Sequence, residues 1–360
     1  MTTNMAPHRS LRHDLAAETG LTLVDVLTGI TVGLIAIVLA HQAFAAIGEL
    51  RRSASARADA EQTGSIAASI LATAAGSAGA GIGAAARWLD ACPPTSDLAA
   101  TQRPIPAVVI DGGGIDRPDG LVVRQAQQSR LAAPAAFAAA APAGANFRVQ
   151  SPDGFATGDR IVAISRSGIC ATAEVTGVSP VAAGIIEIAH APVGVDFPIT
   201  SLLLNLGPAS RASTVRFDVA AGALRSTDVV NGDAPVPLVS NIVNLKLQYG
   251  VDRDDDGVLD DWIGATVAEG LDAASLLVAP RAALDRIVAL RIGVIARSEA
   301  FDPRATGAFH WVLFDCELPD RTACPGRLEG TIAGSAAGGF RYAGQEIVVP
   351  LRNTLWNRGT

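Results

Sequence analysis

The sequence predicts an α+β fold: one long N-terminal α-helix, membrane-spanning in its first half, followed by a mostly antiparallel β domain. Three observations predict it. Leu21 to Ile47 is an almost unbroken apolar run. Glu49 to Ala75 continues without proline and with the single glycine Gly64. From about Asn146 the pattern changes to short alternating segments rich in β-branched residues and punctuated by Gly, Pro and Asp, which is the signature of strands. A helix followed by a series of strands separates the two kinds of element, as α+β folds do. The expected organisation is 1–20 leader, 21–75 helix with its membrane part at 21–47, 76–145 Gly/Ala/Pro-rich connection, and 146–360 β domain.

The first element carries the main question. Residues 1–20 are polar and place His8, Arg9, Arg12 and His13 ahead of the apolar run. Basic residues in that position tend to stay in the cytoplasm. The run is about 27 residues, roughly 40 Å as a helix, and a bilayer core is about 30 Å thick. Two processing sites compete: after Gly20, ahead of the run, or after Ala45, where "AFA" (Ala43–Ala45) resembles a small-residue cut site. Asp25 decides between them. An aspartate inside a spanning helix costs about 2.5–3.5 kcal/mol at the centre and less near an end. A discarded signal peptide gains nothing from that cost. A retained helix recovers it by pairing, and a cut after Gly20 creates an α-amino group on Leu21 for Asp25 of a neighbouring chain to meet. Charges about 4 Å apart attract by roughly 4 kcal/mol at an effective dielectric of 20.

The stretch "GLTLVDVLTGITVGLIAIVLA" resembles the class III signal of type IV prepilins and pseudopilins. Gly20, Leu21, Thr22, Leu23, Val24 and Leu27 match that pattern. Leu21 stands where the family usually has phenylalanine, and Asp25 where it usually has glutamate. The resemblance implies cleavage after Gly20 by a prepilin peptidase, methylation of Leu21, and a helix that packs partly on a globular domain.

The helix should end in "GSAGAGIG" (Gly76–Gly83). "GAGIGA" (Gly79–Ala84) fits a dinucleotide fingerprint, but that needs a preceding strand. Here a helix precedes it, so it reads as a bend. "DGGG" (Asp111–Gly114) reads as a turn, and 131–145 as a loop or linker. Strands are expected at Asp159–Ser165, Ala171–Ser179, Gly184–Ala191 and Ser201–Gly207. A hairpin turning at Ala221–Gly222 follows, then strands in "NIVNLKLQYGV", "DRIVALRIGVIARS", "HWVLFD" and "QEIVVPLRN".

The C-terminal third extends the resemblance. "SNIVNLKLQYGVDRDDDGVLDDW", "IVALRIGVIARS" and "FRYAGQEIVVPLRN" are similar to PilW-type minor pilins of type IV pilus assembly. A pilin-like layout is what this implies for the fold. The middle, about 90–235, resembles nothing that anchors it.

Candidate chemistry is sparse. The net charge of −7 argues against tracking a phosphate backbone, so no nucleic acid is expected. In "DRDDDGVLDD" the residues Asp252, Asp254, Asp256 and Asp260 stand at positions 1, 3, 5 and 9, with Val258 offering a backbone carbonyl at position 7 and Gly257 at the turn. Calcium takes six to eight oxygens, and such a spacing aims several inward. Position 12 is Ile263 rather than glutamate, so a full EF-hand is excluded. A solvated acidic turn is the competing reading.

Cys92, Cys170, Cys316 and Cys324 form no CxxC pair and read as disulfides in an exported chain. Cys316 and Cys324 are close enough to close a small loop, leaving Cys92 for Cys170, but three connectivities are open. His190 and His310 read as structural, His41 as a polar position in the membrane helix, and Trp262, Trp311 and Trp356 as core or interface anchors. Ser77 and Ser335 lack a nucleophile frame. No catalytic set emerges, and an enzyme is not expected.

The expectation is a minor pilin held in the inner membrane with its domain in the periplasm, then built into the base or tip of a pilus. Its partners would be prepilin peptidase, other minor pilins and the major pilin. The rivals are a pseudopilin of type II secretion, a secreted calcium-binding module cut after Ala45, and an adhesive subunit.

Overall fold

The computed structural model describes residues 22–81, 88, 92, 108–115, 117–125, 134–151, 154–208, 214–229, 232–276, 279, 281–302, 304–316, 324–333 and 338–355. Gly20, Leu21, Ser335 and Trp356 lie outside them. Two compact units are present, Met1–Arg52 and Ser53–Thr360.

One helix, α1 (Leu23–Gly76), runs through 54 residues. Within the first unit its apolar side chains, from Leu23 to Ile47, are exposed. By length and composition this helix is apolar enough to cross a membrane. Within the second unit it buries Ala56, Ala60, Gly64, Ala67, Ala68, Leu71 and Ala75. Those positions recur at three and four residues, which makes one face. Small residues let the strands approach closely: a Cβ at Gly64 would stand 2.9 Å from Gln345 Cγ.

The chain then forms β1 (Val108–Asp111) and β2 (Gly120–Arg124), an antiparallel pair. The expected connection at 76–145 therefore contains two core strands. Their apolar runs are only four or five residues long and flank "DGGG", so the turn was legible and the strands beside it were not.

Next come β3 (Ala135–Ala136), β4 (Phe147–Gln150), β5 (Asp159–Ile164), β6 (Cys170–Ala182), β7 (Ile185–His190) and β8 (Leu202–Pro208). Their order in space is β3-β8-β5-β6-β7-β4. An antiparallel bridge between Phe137 and Val149 joins the two ends, closing a six-stranded barrel. Its interior holds Phe137, Phe147, Phe197, Ile161, Ile188 and Leu203. Within 131–145, expected as a loop, Ala135, Ala136 and Phe137 are thus part of the barrel wall.

The chain returns through β9 (Thr214–Ala220), which pairs with β2, followed by β10 (Ala223–Asp228) and β11 (Val236–Ser240). β9 and β10 turn at Ala221 and Gly222 with φ of 52° and 73°. Positive φ at both central residues is the two-residue hairpin turn that matches strand twist. The five-stranded sheet is ordered β1-β2-β9-β10-β11.

A four-stranded sheet of order β13-β12-β14-β17 completes the core. It contains β12 (Ile242–Val251), β13 (Asp261–Ile263), β14 (Ile287–Arg297) and β17 (Tyr342–Pro350). β15 (Phe309–Leu313) and β16 (Leu328–Ile332) form a separate hairpin. β14 is buried on both faces. Leu290, Ile292, Val294 and Ala296 join the core that includes Leu71 of α1, whereas Ile295 joins Trp311, Leu313 and Phe314. That double burial is why "IVALRIGVIAR" is so apolar.

A buried ion pair sits in this core. Lys246 Nζ lies 3.7 Å from Asp119 Oδ1 and donates to the carbonyls of Gly114 and Arg117. Asp119 also accepts from Gly113 N and Leu247 N at 2.7 and 2.9 Å. Burial pushes the Asp119 carboxyl above its ordinary range, and Lys246 opposes that shift.

Candidate functional site

Two places draw the residues that the sequence singled out. The first is the start of α1. Thr22 N and Thr22 Oγ1 donate to Asp25 Oδ2 at 3.1 and 2.7 Å, and Asp25 N donates back to Thr22 Oγ1 at 3.3 Å. This is a reciprocal capping box with Thr22 as N-cap and Asp25 at N3. Asp25 therefore has a partner within its own chain, which the pairing argument from sequence did not include.

The second is the acidic loop between β12 and β13. β12 ends at Val251 and β13 pairs back onto it, Val251 opposite Asp261. Asp252 is fully buried. Its carboxylate accepts from Asp255 N at 2.7 Å and Gly257 N at 3.0 Å. Gly257 has φ +89°, a conformation that favours glycine. Asp260 Oδ2 accepts from Arg253 N at 2.6 Å, drawing the far end of the loop inward.

The carboxylate oxygens of Asp252, Asp254 and Asp260 come within 4.8 Å of one another. Asp256 stands outside that group, its Oδ1 accepting Val258 N at 2.7 Å. Ile263 lies in β13 and packs against the core. The arrangement offers a divalent cation carboxylate oxygens from three residues, one buried and two exposed. Oxygen donors of this kind suit a hard ion such as calcium. The backbone N–H bonds occupy only part of each carboxylate's accepting capacity, so the donor set fits such an ion.

Behind the loop stands Arg291 on β14, absent from the sequence reading. Its guanidinium lies 4.8 Å from the Trp262 ring and 4.3 Å from the Phe314 ring. It donates to Gln248 Oε1 at 2.6 Å and to Pro325 O at 2.9 Å. Burial lowers its pKa to about 10, which leaves it charged at neutral pH. Arg291 thus joins the foot of the acidic loop to Pro325, next to the disulfide-bonded Cys324. An arginine in the middle of an apolar strand was the available signal. Trp311 is buried and Trp262 half-buried, as anchors should be.

Cys316–Cys324 and Cys92–Cys170 are both disulfides, each with Cα atoms 5.6 Å apart. His190 is buried, its Nδ1 2.7 Å from Ala191 O and its ring 3.9 Å from that of Phe147. His310 is exposed and meets Thr331 Oγ1 at 2.9 Å.

Fold and site together define an α+β protein in which a helix apolar enough for a membrane leads into an antiparallel β domain. Residues 219–353, the C-terminal part of that domain, match the family model described as PilW, Type IV Pilus-assembly protein W. The match runs from the end of β9 to just beyond β17 and includes the acidic loop and both strands flanking it. It supports a part in type IV pilus assembly. No curated protein and no solved structure matches the chain.

Proposed function

We propose that this chain is a minor pilin, a structural or priming subunit that works by assembly and packing rather than by turnover. The observation that carries the reading is the joint presence of the PilW-type region at 219–353 and the apolar helix from Leu23. The chain is cut after Gly20 by prepilin peptidase, methylated on Leu21, and held in the inner membrane by residues 21–47. Its domain stands in the periplasm until it is added, with other minor pilins and the major pilin, to the base or tip of the filament.

The test is mass spectrometry of pili sheared from cells, alongside filament counts in a deletion strain. The reading expects peptides of residues 53–360 in the filaments and fewer pili without the gene. Normal piliation in the deletion strain, with the chain absent from pili, contradicts it.

Asp252, Asp254 and Asp260 give this reading a cation. The proposed occupant is calcium, supplied from outside the cytoplasm, with the backbone carbonyl of Val258 as a further oxygen ligand and Asp256 outside the carboxylate group. Its role is to stiffen the β12–β13 hairpin.

A further inference from the structure

β14 ends at Arg297, which stands opposite Tyr342 at the start of β17. Arg297 N donates to Asn241 O at 2.9 Å, and Arg297 Nε donates to Asn241 Oδ1 at 3.2 Å. Asn241 links β11 to β12 with φ of 61°, a conformation that asparagine accepts better than most residues. The Phe340 ring lies 4.6 Å from the same guanidinium. Amide and ring together fix the plane of Arg297. Among the described residues no carboxylate pairs with it, whereas neighbouring Arg341 is taken up by Asp302. The terminal nitrogens of Arg297 are therefore left for another acceptor.

Arg297 lines an open cleft of about 470 Å³. Beside it stand Ala220 and Ala221 at the β9–β10 turn, Ile242 and Val243 of β12, and Ile332 of β16. Apart from Arg297 and Tyr342, the lining is apolar. Pro118 and Val219 line this cleft and also a second one, of about 330 Å³, whose walls carry Asp111, Arg117, Arg216 and Asp218. The two clefts adjoin at those shared residues. One groove thus passes from an apolar end with a positive charge to a polar end with charges of both signs. Clefts of about 300–1,000 Å³ with a few placed polar groups are the usual form of a ligand site.

We propose that this groove receives the C-terminus of a partner polypeptide. The terminal carboxylate lies on Arg297, the last side chain is apolar and packs against Ile242, Val243 and Ile332, and the preceding residues extend over Pro118 and Val219 into the polar cleft. Charge complementarity selects the carboxylate, since a guanidinium held in plane matches its two oxygens. The closeness of the charge to the apolar wall selects a chain terminus, because there the carboxylate and the apolar side chain share one α-carbon. An acyl anion would satisfy Arg297 as well, but its tail would run toward Asp111, Arg216 and Asp218 and strip water from charged groups without replacing it. A peptide backbone brings its own donors and acceptors to that end. The inference stands whether or not the chain enters a pilus.

The test uses the full chain in lipid nanodiscs with meta-fluorotyrosine at both tyrosines, Tyr249 and Tyr342. Tyr342 lines the groove and Tyr249 is fully buried in the core, so one fluorine signal reports binding and the other reports the fold. The probes are hexapeptides of glycine and serine ending in valine, leucine or phenylalanine, each as the free acid and as the amide. At least one free acid should move the Tyr342 signal saturably and leave the Tyr249 signal in place. Its amide should bind about ten-fold more weakly or worse, as loss of a hydrogen bond between charged groups requires. Arg297→Gln should bring the acid down to the level of the amide. If that variant disturbs the Tyr249 signal, the comparison of acid with amide on the parent chain decides alone. Equal binding of acid and amide overturns the proposal, as does a Tyr342 signal that none of the acids moves. Hexanoate that displaces the peptide at equal affinity overturns it too, since the groove then takes an acyl anion rather than a chain terminus.

Discussion

Thr22 Oγ1 lies 2.7 Å from Asp25 Oδ2, and the bond is returned by Asp25 N to Thr22 Oγ1. The carboxylate that the sequence assigns to a neighbour's amine is thus also the N3 partner of its own helix. Two substitutions separate the roles. Thr22→Val removes the hydroxyl and keeps the charge, at a cost of about 0.5–2 kcal/mol for a lost N-cap. Asp25→Ala removes both roles. Both variants should be processed, because the expected cut precedes them. Filament counts should fall sharply for Asp25→Ala and little for Thr22→Val, and Asp25→Glu should be tolerated, since glutamate is the commoner N3 partner. Equal losses for Thr22→Val and Asp25→Ala would assign the whole effect to capping.

Calcium should raise the melting temperature of a domain lacking residues 1–47. A site with Kd of roughly 0.1–1 mM at about 1 mM calcium stabilises by about 0.4–1.4 kcal/mol. Magnesium should do less, because it demands a tighter octahedron. Asp254→Ala should abolish the increment, and Asp256→Ala should leave it. Asp252 is a poor choice for this test, because its carboxylate already holds Asp255 N and Gly257 N. A melting point indifferent to several millimolar calcium assigns the loop to a solvated turn.

Lys246→Met should destabilise the domain by about 3–5 kcal/mol, as expected when one partner of a buried pair is removed. The cause is that Asp119 is left buried without its cation. Lys246→Met with Asp119→Asn should recover part of the loss. Denaturant melts of the two variants measure this, and a double variant no more stable than the single one contradicts it.

The acid side of the stability profile should depend on Asp302. Its carboxylate accepts from Arg341 Nε at 2.8 Å, and that bond, with a further one from Arg304 N, holds its pKa below the ordinary aspartate range. A depressed folded-state pKa gives stability that is present above the unfolded value of about 3.9 and lost as pH falls through the folded value. Asp302→Asn should therefore flatten the profile below about pH 4. An unchanged acid slope in urea melts removes Asp302 from the account.

Much of this was legible along the chain because burial on two faces leaves a run that alternation cannot hide. β12 and β14 are such runs, and "LQYGV" and "IVALRIGVIAR" declare them. The convergence of the Asp252, Asp254 and Asp260 carboxylates was legible for a different reason, since a tight loop fixes the direction of nearby side chains. Asp256 was not, because its choice of Val258 N over the loop centre is a matter of local backbone geometry. β1, β2, β11 and β13 are only three to five residues long, and β2 takes its second partner, β9, from far away in sequence. The barrel's closure rests on Phe137 meeting Val149 across a fold, which no local pattern encodes. Arg291 falls in the same class, since its ring partners come from separate elements, Trp262 from β13 and Phe314 from just beyond β15.

The central claim is that the apolar helix is retained and begins at a prepilin-type cut. The mass of the mature N-terminus, taken from chain extracted from membranes, tests it most directly. The account predicts a chain that starts at Leu21 and carries one N-methyl group. A chain that starts at Ala46 and is recovered in the soluble fraction would contradict it and make the protein a secreted module.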